Sequence, residues 1–307
     1  MFEAIEIGPF ILWTHLLFFL LALWLGMEFF LRLALSANLS IQQFKDRAWQ
    51  FALAFFLGGR IVAMIGDYRV YLRDPLRVLM LTDGNFSYLG GAIGIGVLLS
   101  FVTRTSRATF LQWLDVLLPA TCFGLALDWL GRFAAGQSYG KPTDMFWGVT
   151  YDAINVRYTV PIHPVQLYYA AFYFFLTLVL LIVRKHTFRA GAESLVGITL
   201  ASLATIVFEL FRGDFGIPVF ATSVDFLLLL LLFMALGLFA TMELRFSQRV
   251  MIFYESAMAL VFGAYFLIRP WIGLPTYELR FTQLLSVLAL LATTVYVIVH
   301  RKRYPHL

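Results

Sequence analysis

The sequence predicts an all-α protein, a polytopic transmembrane helical bundle of about nine spans. Three observations carry that prediction. Hydrophobic residues make up 61% of the 307 residues and charged residues only 13%, outside the range of soluble domains. The mean hydropathy is +0.82. The apolar residues also gather into runs close to the roughly 20 needed to cross a hydrocarbon core.

The runs fall at 10–31, 49–66, 87–103, 110–131, 164–183, 192–211, 222–244, 250–268 and 281–299. Before the first stand Glu3 and Glu6, with neither a basic leader nor a small-residue cleavage site, so this span is expected to be permanent. The second and third are short and rich in glycine (Gly58, Gly59, Gly90, Gly91, Gly94, Gly96), which suits close helix approach inside a bundle. The fourth contains Cys122, the single cysteine, which excludes an internal disulfide framework and reads as a small core residue. The fifth opens on His163-Pro164, with proline in the first turn where its missing N–H costs nothing. The sixth closes in FELFRGD (208–214). The last two form a helical hairpin within 245–307 that carries Glu255. No internal repeat is visible, and no Pro/Gly/Ser-rich linker divides the chain.

Charge sets the expected orientation. The net charge of +5 comes from basic residues scattered over loops, with no patch of the kind nucleic acid would require. With the N-terminus outside and the C-terminus inside, thirteen basic residues fall in mostly short inner segments and nine in longer outer ones. Two outer segments are long. Residues 67–86 alternate basic and apolar positions before an Asp83-Gly84 turn, as expected of an amphipathic arm on the bilayer surface. Residues 132–162 contain Gly136, Gly140, Pro142, a β-leaning 156–160 stretch and Pro161, and read as a small outer head. The expected organisation is a main domain over 1–244 and an added hairpin with a basic inner tail over 245–307.

Charged groups at bilayer depth cost about 2.5–3.5 kcal/mol each, so they normally face protein or a wet cavity. Arg60 lies inside the second span. Arg212 ends the sixth, with Glu209 three residues earlier on the same helical face. Asp128 and Arg132 have the favourable i, i+4 order at the end of the fourth. His15 and His163 lie near the outer ends of the first and fifth. Arg60, Arg132, His163, Arg212 and His15 therefore all point to one outer site. Guanidinium groups recognise phosphate through a planar fork, and the nearest abundant phosphate is a lipid headgroup. The residues alone give an anionic-phospholipid site and no chemistry beyond it.

FLGGRI (56–61), Asp74-Pro75, DGxxSxxGGxIG (83–94), FGL (123–125), HPxQLY (163–168) and ExFR (209–212) follow one another in this order. Together they resemble the prolipoprotein diacylglyceryl transferase family over roughly 8–235, with seven of the nine spans family-like. The resemblance implies transfer of diacylglyceryl from phosphatidylglycerol to a lipobox cysteine thiol of a lipoprotein precursor. Glycerol phosphate is released, without metal or other cofactor, at the bacterial cytoplasmic membrane. The partners it implies are an anionic phospholipid, the precursor peptide and membrane lipid, with no nucleic acid; the oligomeric state is left open. It assigns catalytic roles to Arg212, Arg132, His15 and His163. Substrate-binding positions are Arg60, Tyr88, Gly90, Gly91, Gln137, Gly140, Lys141, Gln166, Tyr168 and Glu209.

Several positions depart from the family pattern. Leu89 stands where the family has a functional histidine. The family's GRxxN-like stretch aligns with Asp128–Arg132, so Trp129 replaces its arginine and Arg132 its asparagine. Gln137 and Lys141 fall on its acidic and arginine positions, and His15 on its functional tyrosine. Arg132, one turn from Trp129, could reach the same phosphate, and His15 could supply the imidazole lost at Leu89. The alternatives are a catalytically lapsed protein that binds anionic lipid or lipoprotein, and a lipid-headgroup transferase with another acceptor.

Overall fold

The computed structural model describes residues 4–7, 10–79, 86–104, 107–151, 156–187, 189–214, 230–239, 247–272 and 280–303. Among them are six helices long and apolar enough to cross a membrane: Thr14–Ser36, Ala48–Gly66, Thr109–Ala134, Val165–His186, Ala192–Phe211 and Phe281–His300. Tyr88–Val102 and Leu230–Phe239 are shorter apolar helices. Large apolar side chains on these helices point outward, among them Trp24 at 68% exposure, Trp49 at 67% and Phe101 at 68%. Water would penalise such a surface and lipid does not. The fold is that of a polytopic helical membrane protein.

The first expected span begins later than the apolar run does. Ala4–Ile7 (β1) and Phe10–Trp13 (β2) pair antiparallel, and helix α1 covers Thr14–Ser36. Phe10–Trp13 are aromatic and branched apolar residues that suit a strand as well as a helix, and their pairing with Ala4–Ile7 takes them into the ladder. At its far end α1 is closed by Asn38 at φ 53°, and the N–H of Leu39 donates to the Ala34 carbonyl at 3.0 Å.

By its internal contacts the chain forms two compact units, Met1–Gly197 with Phe211–Phe215, and Ile198–Leu210 with Gly216–Leu307. In the first, α1 is followed by the short α2 (Gln42–Lys45), α3 (Ala48–Gly66), α4 (Tyr68–Arg73) and a 3-10 turn at Pro75–Leu79. Then come α5 (Tyr88–Val102), α6 (Arg107–Ala134), α7 (Val165–His186) and the start of α8 (Ala192–Phe208). α3 and α5 cross backbone to backbone. A Cβ on Gly94 would lie 2.1 Å from the Ala54 carbonyl oxygen, and one on Gly58 2.5 Å from that of Gly90. The glycines that made these spans look weak are what lets them pack. Ser87 caps α5 by accepting the Gly90 N–H at 3.1 Å.

At the opposite ends of α6 and α7, Asp115 accepts from the N–H and Oγ of Ser194 at 2.9 and 2.7 Å, fixing the start of α8. Arg184 pairs with Glu193 there at 3.5 Å. Cys122 is buried, as a small core residue should be.

In the expected arm, α4 and the 3-10 turn leave Leu72 and Leu76 73% and 69% exposed; the Asp83-Gly84 turn lies outside the described residues. The loop after α6 packs Tyr139, Tyr151 and Ile162 into a small core with Phe133, Val149, Val156 and Tyr158. The β-leaning 156–160 stretch forms no strand among the described residues. Its neighbour Ile162 instead makes bridges to Val149 and Pro142, because Ile162 can bury its side chain in that core while donating and accepting along Val149.

In the second unit, α8 ends in a 3-10 turn at Glu209–Phe211, followed by α9 (Leu230–Phe239), α10 (Gln248–Ile272) and α11 (Phe281–Arg303). Of the expected 222–244 span, only 230–239 and its helix are described. Leu232, Val287 and Leu290 form the core, with Leu203, Ile206 and Leu236 around them. Gln283 donates to the Ile206 carbonyl at 3.1 Å, satisfying an acceptor at the end of α8. Glu255 lies against Gly237, where a Cβ would stand 2.3 Å from its Oε1.

Candidate functional site

The last turn of α6 places Asp128 and Arg132 on one face. The Arg132 Nε donates to Asp128 Oδ2 at 2.8 Å, so the i, i+4 pair expected from the sequence forms. Asp128 is only 2% exposed, and its second oxygen faces His15 Nε2 at 3.0 Å across from α1. A buried carboxylate is thus shared by a guanidinium and an imidazole. Arg132 also reaches Ser138 at 3.4 Å, and its guanidinium carbon stands 5.1 Å from the Trp129 ring centroid. Trp129 stacks in turn on Tyr169 of α7, with centroids 4.2 Å apart and planes 9° from parallel. Trp129 therefore serves as a platform that orients the Arg132 guanidinium.

Beyond α6 the loop forms a short backbone ladder. The Gly213 N–H donates to the Tyr139 carbonyl at 3.0 Å, Lys141 N–H to the Phe211 carbonyl at 2.8 Å, and His163 N–H to the Lys141 carbonyl at 2.9 Å. Gly140 bridges Arg212 directly. A Cβ at Gly140 would lie 2.2 Å from the His163 carbonyl oxygen, so only glycine allows the three segments to lie this close. Residues 139–141 therefore hold Arg212 on one side and His163 on the other. The side chain of Arg212 is clasped by both oxygens of Asp214 (Nε to Oδ1 at 3.0 Å, Nη2 to Oδ2).

His163 Nδ1 meets the Tyr168 hydroxyl at 3.0 Å, and the Trp147 indole N–H donates to the same hydroxyl at 2.7 Å. Because the indole can only donate, the phenol hydrogen is available to Nδ1. Burial holds the His163 imidazole below its ordinary pKa, favouring the neutral ring. Gln166 is fully buried: its amide N–H donates to the Gln137 carbonyl at 2.7 Å and its oxygen accepts from Tyr151 at 3.2 Å. It ties the head to α7. Burial pushes the Tyr151 phenol up to about 12.

Other sequence-predicted residues fall elsewhere. Arg60 donates to the Arg77 carbonyl at 3.0 Å and lies 5.7 Å from the Tyr71 ring centroid, so it is joined to the arm. Tyr88 is buried, its hydroxyl filling the space left by Gly124 and Gly26 between α5, α6 and α1. Gly90 packs on Val62 and Gly91 on Phe55, seating α5 on α3, while Leu89 beside them is 42% exposed. Lys141 is exposed and enters the ladder through its backbone. Glu209 pairs with Arg280 at 3.7 Å in the second unit, and Arg212 takes Asp214. Past Phe208 the helix tightens into the 3-10 turn Glu209–Phe211, and Arg212 enters the bridge to Gly140.

Sequence reasoning treated Asp128 as half of a structural pair and missed Asp214, Ser138 and Trp147. Spacing along a helix shows Asp128–Arg132, but nothing in the sequence marks a carboxylate whose second oxygen crosses to another helix.

Apolar helices long enough to cross a membrane, with Arg212 and His163 flanking one loop and Arg132 and His15 sharing the Asp128 carboxylate, make this a polytopic helical membrane protein. The chain belongs to the prolipoprotein diacylglyceryl transferase family, whose model matches residues 3–299. It is 32% identical over 168 residues to the phosphatidylglycerol–prolipoprotein diacylglyceryl transferase of Pseudoalteromonas atlantica, covering 53% of this chain and 58% of that one. The enzyme of the same name from Geobacter sulfurreducens is 31% identical over 169 residues, covering 54% and 64%. That of Legionella pneumophila strain Corby is 32% identical over 132 residues, covering 43% and 50%. The matched region thus spans between half and two thirds of these curated relatives.

Proposed function

We propose that the protein transfers diacylglyceryl from phosphatidylglycerol to the lipobox cysteine thiol of a lipoprotein precursor. The reading places it in the bacterial cytoplasmic membrane with nine spans, the N-terminus outside and the C-terminus inside. Residues 1–244 carry the site and 245–307 add an accessory hairpin. The observation that carries it is the ladder through residues 139–141, which fixes Arg212 on one flank and His163 on the other in a member of this family. A phosphate leaving group gains negative charge as its C–O bond breaks, and a fixed guanidinium stabilises that charge most at the transition state. Arg212 fits this role once lipid phosphate displaces Asp214, and Arg132, oriented on Trp129, is suited to the same phosphate. Arg60, at the arm, is suited to steering anionic headgroups inward.

The test is direct. Purified full-length protein in phosphatidylglycerol vesicles, given a lipobox peptide, should add one diacylglyceryl mass to the cysteine. A peptide with serine in place of the cysteine should stay unmodified. Lipid binding without mass gain would favour a second reading, a lapsed lipid-binding protein. The feature behind that reading is Leu89, an apolar side chain 42% exposed where the family pattern has histidine.

A further inference from the structure

If transfer occurs, a thiol with a pKa near 8.5 must lose its proton, and Leu89 cannot take it. We infer that His15 is the general base that takes this proton, with Asp128 as the positioning residue that fixes its tautomer. The inference rests on the transferase reading above.

The hydrogen-bond inventory decides the tautomer. Arg132 is permanently charged and can only donate, and it occupies Asp128 Oδ2 at 2.8 Å. The carboxylate facing it accepts on both oxygens. The hydrogen between Asp128 Oδ1 and His15 Nε2, 3.0 Å apart, therefore belongs to the imidazole. A neutral imidazole carries one N–H, so Nδ1 is left as a bare acceptor. His15 makes no second hydrogen bond among the described residues, and its side chain is 25% exposed. A buried carboxylate that holds one ring nitrogen protonated and supports the imidazolium is what makes the other nitrogen an effective base.

A purely structural role for Asp128 would need only Arg132, one turn along the same helix. The second oxygen instead crosses to α1 and orients a ring. The charged groups joined to His15 are Asp128 directly and Arg132 through it, both from α6. His15, Asp128, Trp129 and Arg132 are all positions where this chain departs from, or aligns with, the GRxxN-like stretch and functional tyrosine noted above. The structure makes one hydrogen-bonded and stacked unit of them. Base and phosphate-binding cation share a carboxylate, so they are neighbours by construction.

The step balances as follows. The thiol proton passes to His15 Nδ1, and the sulfur electron pair forms an S–C bond to the diacylglyceryl carbon. The C–O bond to phosphate breaks, its electron pair leaving on the phosphate oxygen as glycerol phosphate. The imidazolium then returns its proton to that phosphate or to water.

The experiment uses full-length protein in phosphatidylglycerol vesicles with a lipobox peptide, following rate against pH, lipid binding and melting temperature. His15→Gln should lower kcat by about 10²–10⁴-fold, the usual worth of a general base. Lipid binding and melting temperature should hold. The acidic limb of the profile should vanish, rate should recover above about pH 8.5 where the thiol ionises unaided, and added imidazole should restore part of it. Asp128→Asn should displace the limb. Independently of turnover, nitrogen NMR on histidine-labelled protein should find the His15 proton on Nε2. A proton on Nδ1 overturns the assignment. So does a His15→Gln variant with unchanged rate and limb, or one whose loss of rate tracks loss of lipid binding or stability, and in either case the transferase reading stands. Wild-type protein that transfers nothing overturns the reading and the base together.

Discussion

Arg132 and Arg212 present the same guanidinium from two different kinds of support. Arg132 stands on a helix, paired at i, i+4 with a carboxylate 2% exposed and laid over an aromatic stack. Arg212 stands on irregular backbone after a helix has ended, held by a ladder to residues 139–141 and clasped by Asp214, which is 20% exposed. The first is locked by side chains that would be costly to leave unpaired. The second is placed by main chain and pairs with a carboxylate that is 20% exposed. One guanidinium is therefore oriented by side chains on regular backbone, and the other by main-chain hydrogen bonds around irregular backbone.

The largest expected effect breaks the second arm of that comparison. Arg212→Ala should lower the transfer rate by about 10²–10³-fold, the scale of losing one transition-state donor. Initial rates check this, with thermal unfolding in detergent to separate lost chemistry from lost stability. Arg132→Ala should cost about 3 kcal/mol of stability because it strands a carboxylate only 2% exposed. Pairing it with Asp128→Asn should recover most of that loss in a double-mutant cycle. Gly140→Ala should cost about 1–3 kcal/mol through overpacking against His163 and should raise KM for phosphatidylglycerol, leaving the Arg132 pair intact.

The smallest effect is a pH slope. Burial lowers the His163 pKa, so the unfolded chain binds the proton first as pH falls through about 6.5. Stability should therefore decline from about pH 7 downward and level off below the folded value. His163→Gln should flatten this slope, read from melting temperature against pH.

Much of the bundle was legible in the sequence. Run length and polarity marked the helices of 48–66, 165–186 and 281–300 to within a few residues, because lipid demands about 20 apolar residues of any span. They failed at 10–13, where apolar branched and aromatic residues suit strand as well as helix and pairing with Ala4–Ile7 decided the matter. Of the candidate site, Asp128–Arg132 was readable because helical spacing alone brings those two together. The Asp214 clasp on Arg212 was not readable, because it forms where the helix has given way to irregular backbone.

By itself the sequence determined that the chain is a polytopic helical membrane protein, which charges are expensive at bilayer depth, and which family its motifs resemble. These follow from composition and from relations between residues a few positions apart. Only the tertiary structure decided that Gly140 and His163 flank one ladder with Arg212, that Trp129 serves as a platform for Arg132, and that Asp128 shares its carboxylate with His15. Each of those joins residues distant along the chain, and each depends on directions of N–H groups and ring planes that no spacing encodes.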